Sequence, residues 1–196
     1  MTPVVLGSGS AIRARVLLDA GMAFTVERPR VDEDTLKRAM AGAAPTEVAQ
    51  SLAEAKALEV SARLPGALVI GADQTLEFEG RLFDKPADAE GARARLKLLR
   101  GHEHRLNAGT ALALGGQVVW RDLRISRLQV RSFSDAWLED YVGRAGGALT
   151  ATVGGYEYEG LGGQLFEAVE GDYFAILGLP LLPVLNALRA HGGLPQ

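Results

Sequence analysis

Apolar positions along the chain change period many times. Residues 3–7 form a short continuous apolar run, the pattern of a buried strand. Residues 10–21 switch to helical spacing and stop at Gly21. Residues 24–29 predict a second strand, and residues 32–41 and 46–64 predict two helices, the later one opening on Pro45-Thr46 with Glu47 close behind. Another apolar run, residues 67–73, predicts a buried strand ending at Asp73. A helix over 87–101 is stopped by Gly101, and two long strands, 104–114 and 117–133, are joined as a hairpin across Gly115-Gly116. A helix over 134–146 starts at a Ser or Asp cap and ends at glycine; apolar segments over 164–178 and a last helix over 179–192 follow. Strands and helices interleave from one end to the other, so the expected class is α/β with a mixed sheet.

Length and composition narrow this further. At 196 residues the chain is expected to form one domain, 1–196, since domains average about 150 residues. It is 47% hydrophobic and 23% charged, which excludes disordered and fibrous classes. A formal charge of −3 offers no electrostatic footprint for nucleic acid, so no nucleic-acid partner is expected. The absence of cysteine excludes a disulfide framework, a thiolate zinc site and a cysteine nucleophile. The first residues lack a basic, then apolar, leader pattern. The apolar stretch 173–188 is broken by Gly178, Pro180 and Pro183, short of the about 20 residues a bilayer needs. The expectation is a cytoplasmic protein with no membrane partner.

Five places carry candidate chemistry. Ser8-Gly9-Ser10 opens directly into a helix bearing Arg13. Free amides at a helix N-terminus, hydroxyls and a guanidinium make an anion site, although a Ser cap with a solvated arginine has the same local sequence. Val31-Asp32-Glu33-Asp34 is either a set of acids favouring a helix N-terminus or a source of hard oxygen ligands. Asp73 lies where ligands gather in α/β sheets, or is a turn aspartate. Lys85 is one of only four lysines against 17 arginines, a bias that suggests retention of lysine where a compact ammonium is needed. His102 and His104 lack an evident third ligand and read as structural or surface residues. Eight of the 24 glycines fall between Gly143 and Gly163, marking either a surface loop or a place where a ligand nears the main chain. No GxxxxGK[ST], GxSxG, HExxH or GxGxxG is present.

In order and spacing, several segments together resemble the Maf family of nucleotide pyrophosphatases. LGSGSAIRARVLLDAG is similar to its L-x-S-x-S-x-x-R helix, VDED to its V-D-E, and LAEAKA to its L-A-x-x-K-A. VIGADQTLEFEGRLFDKP is similar to its G-[AS]-D-[TQ] strand, hairpin and K-P, and LRGHEHRLNAGTAL to its G-x-x-H segment. GGYEYEGLGGQLFEAVEGDYFAILGLPL resembles its closing G-x-[YF]-x-x-[QE]-G and G-D-Y-x-x-x-G-L-P-L. The resemblance spans nearly the whole chain. It implies a strongly twisted mixed sheet with flanking helices and two lobes around a central cleft. It also implies a homodimeric, divalent-metal-dependent (Mg²⁺ or Mn²⁺) hydrolase that cuts a nucleoside triphosphate between its α and β phosphates.

By position, the resemblance makes Asp73 the proton acceptor, Ser8, Arg13, Lys56 and Lys85 substrate-binding residues, and Glu33 with Asp73 the metal ligands. Three further positions sort substrates. The dTTP/UTP branch typically has Arg, Thr and Gln where this chain has Ile12, Gln74 and Glu159. Gln74 and Glu159 resemble the 7-methyl-GTP branch, whose usual Trp is replaced here by Ile12. The resemblance therefore favours a modified nucleotide such as 7-methyl-GTP. A dTTP/UTP enzyme and a non-catalytic nucleotide-binding regulator of septum formation are the alternatives.

Overall fold

A computed structural model describes residues 1–195. In chain order the elements are β1 (Val4–Gly7), α1 (Ala11–Asp19), β2 (Thr25–Val26), α2 (Glu33–Ala39), α3 (Pro45–Arg63), β3 (Leu68–Phe78), β4 (Arg81–Phe83), α4 (Ala89–Leu99) and β5 (Glu103–Leu114). They continue with β6 (Gln117–Val130), α5 (Asp135–Ala145), α6 (Ala148–Ala151), a 3₁₀ turn (Leu161–Leu165), β7 (Phe166–Glu170), α7 (Tyr173–Ile176) and α8 (Leu181–Ala190). The seven strands form one mixed sheet in the order β2-β1-β3-β5-β6-β7, with β4 also on β3. β1 is parallel to β2 and β3, and every other pairing is antiparallel. The β5–β6 hairpin turns at Gly115 and Gly116, both with positive φ (59° and 76°), the twist a two-residue hairpin needs. Among the described residues no helix is long and apolar enough to cross a membrane.

Three expected strands differ in length, and the one expected over 117–133 ends at Val130. The run expected over 24–29 pairs only at Thr25–Val26, because both residues are exposed at the sheet edge and the charges beyond them find no core. The strand expected to end at Asp73 continues to Phe78. Leu76 and Phe78 keep its even-numbered face buried and β5 pairs with it through Glu77. What ends near Asp73 is the neighbour: β1 stops at Gly7, opposite Gly71.

This arrangement leaves a notch. β5 occupies one edge of β3 from Val69 to Glu77. The other edge is taken by β1 at Leu68–Gly71 and by β4 at Leu76–Phe78. Between them, residues 72–75 have no strand partner on that edge. The notch also lies where the chain order switches, since β2 lies on one side of β1 and β3 on the other. Ligands of α/β sheets gather beyond the carboxyl end of a strand at such a switch point.

The two faces of β3 are covered differently. On the even face, Leu68, Ile70 and Ala72 pack with Val16 and Leu17 of α1 and with Val184 and Leu188 of α8. Further along, Leu76 and Phe78 pack with Leu96 and Leu99 of α4 and with Leu138 and Tyr141 of α5. Two separate cores therefore share one strand, with Gln74 between them. The odd face lies against α3. A Cβ on Gly71 would sit 2.2 Å from the Ala53 carbonyl oxygen, and one on Gly109 would sit 2.5 Å from that of Ala49. Glycines at these crossings let the helix backbone rest on the sheet.

Candidate active site

A cavity of about 520 Å³ opens at the notch. Because residues 72–75 are bare at their edge, the cavity reaches side chains from both faces of β3, including the neighbours Asp73 and Gln74. Ser8, Ile12, Arg13, Glu33, Lys56, Asp73, Gln74, Lys85 and Glu159 all line it, so every position carried over from the resemblance converges on one hollow.

Asp73 faces α3, where Lys56 waits. The Lys56 Nζ donates to Asp73 Oδ1 at 2.6 Å and lies 2.8 Å from Glu33 Oε1. Lys56 and Asp73 are both buried, at 6% and 8% exposure, so the ion pair is largely shielded from solvent. Neither the Glu33 nor the Asp73 carboxylate has another hydrogen-bond or ion-pair partner among the described residues.

The acidic run around Glu33 divides its labour. Asp32 is the N-cap of α2: its carboxylate accepts from the Thr35 amide at 3.0 Å and from the Thr35 hydroxyl at 2.7 Å. Glu33, one residue on, turns to Lys56. No residue of α2 is buried. The helix is tied instead by Glu33 to Lys56 and by Lys37 to Asp84 at 2.5 Å, next to Lys85. Burial lowers the Lys37 pKa, but the Asp84 bond and the nearby Asp73 and Glu33 outweigh it and the net shift is upward.

Arg13 is gripped by neutral acceptors. Its Nε donates to the Gly178 carbonyl at 2.8 Å, and its Nη1 to the Ala72 carbonyl at 2.9 Å and the Ser8 hydroxyl at 3.2 Å. The Ala72 carbonyl belongs to the bare edge of β3, so the guanidinium plugs part of the notch. Burial depresses the Arg13 pKa, opposed by the charges of Asp73 and then Glu33. No carboxylate forms an ion pair with it among the described residues. The buried Ser8 hydroxyl also accepts from the Ser10 amide at 3.2 Å, shaping the turn into α1. The first turn of α1 carries no acid, and Ser10 makes no side-chain cap, so its amides stay available to an anion. Lys85 is exposed on the cavity rim with no hydrogen bond or ion pair among the described residues.

Gln74 faces the gap between the two cores. Its Nε2 donates to the carbonyls of Ala175 at 2.9 Å and Ile176 at 3.0 Å. Together with the Arg13–Gly178 bond, this moors α7 and the turn after it against β3.

The glycine-rich segment supplies a wall of the cavity, the second of the two readings its sequence left open. Thr152, Val153, Gly154, Tyr156, Glu157 and Tyr158 line the cavity. Tyr156 is anchored from behind: its hydroxyl is 2.6 Å from His104 Nε2. His104 is 1% exposed, and burial without a compensating charge pushes its pKa down to about 4. It is a structural histidine, whereas His102 sits outside β5, its ring 5.8 Å from that of Phe78. Tyr156 holds the aromatic position of the quoted G-x-[YF]-x-x-[QE]-G motif, but neither it nor Tyr158 lies in a periodic element that would give it a role.

Among the described residues no three His, Cys, Asp or Glu side chains cluster to hold a metal unaided. The Glu33–Asp73 pair does fit a hard cation of the Mg²⁺ kind, which takes one or two carboxylates and fills its shell with water and substrate phosphate oxygens.

Two acids, one shared ammonium, two further cations and a helix amide terminus at the switch point of a mixed sheet define an α/β protein suited to grip a polyanion beside paired carboxylates. More narrowly, the chain belongs to the Maf-like protein family, whose model matches residues 3–191. It is 54% identical over 196 residues to a nucleoside triphosphate pyrophosphatase of Maricaulis maris, covering 100% of both chains. It is 50% identical to a nucleoside triphosphate pyrophosphatase of Caulobacter vibrioides, with 99% of this chain and 98% of the relative covered. It is 44% identical to a 7-methyl-GTP pyrophosphatase of Brucella abortus, with 95% and 94% covered.

Proposed function

We propose that this protein is a nucleoside triphosphate pyrophosphatase that releases a nucleoside monophosphate and pyrophosphate, with 7-methyl-GTP its preferred substrate. The observation that carries the reading is the Asp73–Lys56–Glu33 constellation at one end of a cavity whose other cations, Arg13 and Lys85, lack acidic partners. A triphosphate brings about four negative charges and would supply those partners.

Water attacks the α-phosphorus, a new P–O bond forms, and the bond from that phosphorus to the bridging oxygen of the β-phosphate breaks. Asp73 serves the attacking water, either by taking its proton or as a ligand of the cation. Its mooring on β3 and against α3 fixes its geometry. Arg13, Lys85 and the α1 amides meet the charge that shifts onto the departing pyrophosphate. Lys56 holds the two carboxylates apart in the resting site and joins the cationic side when phosphate arrives. Glu33 and Asp73 would hold Mg²⁺ or Mn²⁺, which when bound lends Lewis acidity at the α-phosphate and its water. The same family resemblance supports a homodimer, which sedimentation equilibrium tests.

Glu159 favours a purine of the 7-methylguanine type over a pyrimidine. A carboxylate accepts from guanine N–H donors and meets the positive charge of the methylated ring, whereas a uracil or thymine edge also needs a donor. The test is pyrophosphate release over a panel of triphosphates, with and without Mg²⁺ or Mn²⁺. Turnover that needs the cation and is fastest with 7-methyl-GTP is expected. No release from any triphosphate overturns the activity, and faster cleavage of dTTP and UTP overturns the substrate.

A further inference from the structure

We infer that Tyr173 is a specificity-determining residue that stacks on the substrate's base in a side chamber next to α1, with Glu159 at the base's edge. The inference rests on the nucleotide reading above and extends it to residues outside the phosphate cradle.

A second hollow of about 350 Å³ adjoins the main cavity and shares Ile12, Leu177 and Glu159 with it. Lys56, Asp73 and Lys85 line the main cavity and not this chamber. The chamber runs along the flank of α1, past Arg15, Val16 and Asp19. Six residues, about 9 Å of helix, separate Ser10 from Val16. A nucleotide with its phosphates at the α1 amide terminus therefore has space for a sugar before its base reaches the chamber.

The chamber's chemistry selects the base. Val16, Phe174, Leu177 and Leu181 give it apolar walls. Arg15 and Asp19 on its rim neutralise one another at 2.7 Å. Glu159 has no hydrogen bond or ion pair among the described residues. The chamber therefore presents one uncompensated negative charge beside apolar and aromatic surface, which suits a flat, apolar ring carrying positive charge.

Tyr173 stands out against the rest of the chain. It is 49% exposed, the only Phe, Trp or Tyr side chain among the described residues in that class, while the others are buried or half-buried. An exposed aromatic ring on a fixed element is a stacking surface in search of a partner. Its element is fixed. Asp172 caps α7 by accepting from the Ala175 amide at 2.9 Å, and Gln74 and Arg13 hold the turn from below. The rings of Tyr158 and Phe174 flank Tyr173 with centroids 6.0 and 5.5 Å away. Ile12 leaves the α1 side of the chamber without an aromatic, and Tyr173 provides one from α7.

Equilibrium binding by titration calorimetry tests this without depending on turnover, using 7-methyl-GMP, GMP and UMP as probes. Tyr173→Leu is expected to weaken 7-methyl-GMP about tenfold, GMP less, and UMP least. Tyr173→Phe, which keeps the ring, is expected to restore the affinity. A purely structural role for Tyr173 would weaken all three probes alike and lower the thermal midpoint. That result, or unchanged 7-methyl-GMP affinity in Tyr173→Leu, overturns the inference. Ring-dependent binding in a protein that releases no pyrophosphate would instead overturn the activity and leave the base chamber standing.

Discussion

The Lys56 ammonium stands 2.6 Å from the Asp73 carboxylate, joining the middle of α3 to the bare stretch of β3. The contact binds the floor of the site to the main helix–sheet packing of the molecule. Whatever disturbs that packing disturbs the chemistry.

Removing either partner should therefore give different results. Asp73→Asn keeps the shape and is expected to lower kcat about 10³-fold while nucleotide binding persists. Lys56→Met leaves two acids facing each other and is expected to lower stability by about 3 kcal/mol in urea titration. Added Mg²⁺ should raise the unfolding midpoint of Lys56→Met more than that of the parent, since the cation takes the place of the lost ammonium.

Arg13 makes its three bonds in three directions, to Ser8, Ala72 and Gly178. An ammonium on a flexible stem cannot reproduce that fork. Arg13→Lys is expected to cut kcat/KM about 100-fold, read by steady-state kinetics.

His104 gives a pH dependence with a definite sign. Its folded pKa is pushed down to about 4 from an ordinary 6.5, so between these values the unfolded chain binds the proton and the folded chain does not. Stability is full above pH 6.5 and falls as pH drops toward 4, by about 3 kcal/mol in all for this group. Denaturant midpoints measured across this range should show the slope, and His104→Phe should flatten it.

The close approach of α3 to β3 has its own test. Gly71→Ala would put a methyl carbon 2.2 Å from the Ala53 carbonyl and 2.6 Å from the Ala57 amide nitrogen. Backbone on both sides must move, so a loss of about 3 kcal/mol is expected. The loss should come with reduced activity, because the movement separates Lys56 from Asp73.

α2 should be the softest part of the site. With no buried residue, it depends on the Glu33–Lys56 and Lys37–Asp84 pairs. Amide hydrogen exchange should be faster over Glu33–Ala39 than over α3, and Lys37→Ala should speed it further.

The order of the longer strands and helices was legible because each of them has a clear period. The reach of β3 was not, since the apolar run breaks at Asp73 and Gln74, where the edge of the strand is bare. Local sequence could not separate Asp32 from Glu33 either: adjacent carboxylates at a helix start look alike until one caps and the other finds Lys56. Position in the family pattern alone picked out Lys56, whereas Arg13 also carried a local signal in the Ser-Gly-Ser helix start and Lys85 in the scarcity of lysine. Tyr156 and Tyr173 fall at aromatic positions of the quoted motifs but drew no role, because one lies among irregular glycines and the other on a helix of four residues, neither long enough to show a face.

The notch in β3 has a consequence for how the protein keeps company with other chains. An unpaired sheet edge is ordinarily a template for strand invasion and aggregation. Here the Arg13 guanidinium occupies the Ala72 carbonyl, and the flanking β1 and β4 confine the gap to four residues, 72–75. A foreign strand would have to break that hydrogen bond and fit between two walls. The interruption that admits a small anion thus shuts out a polypeptide.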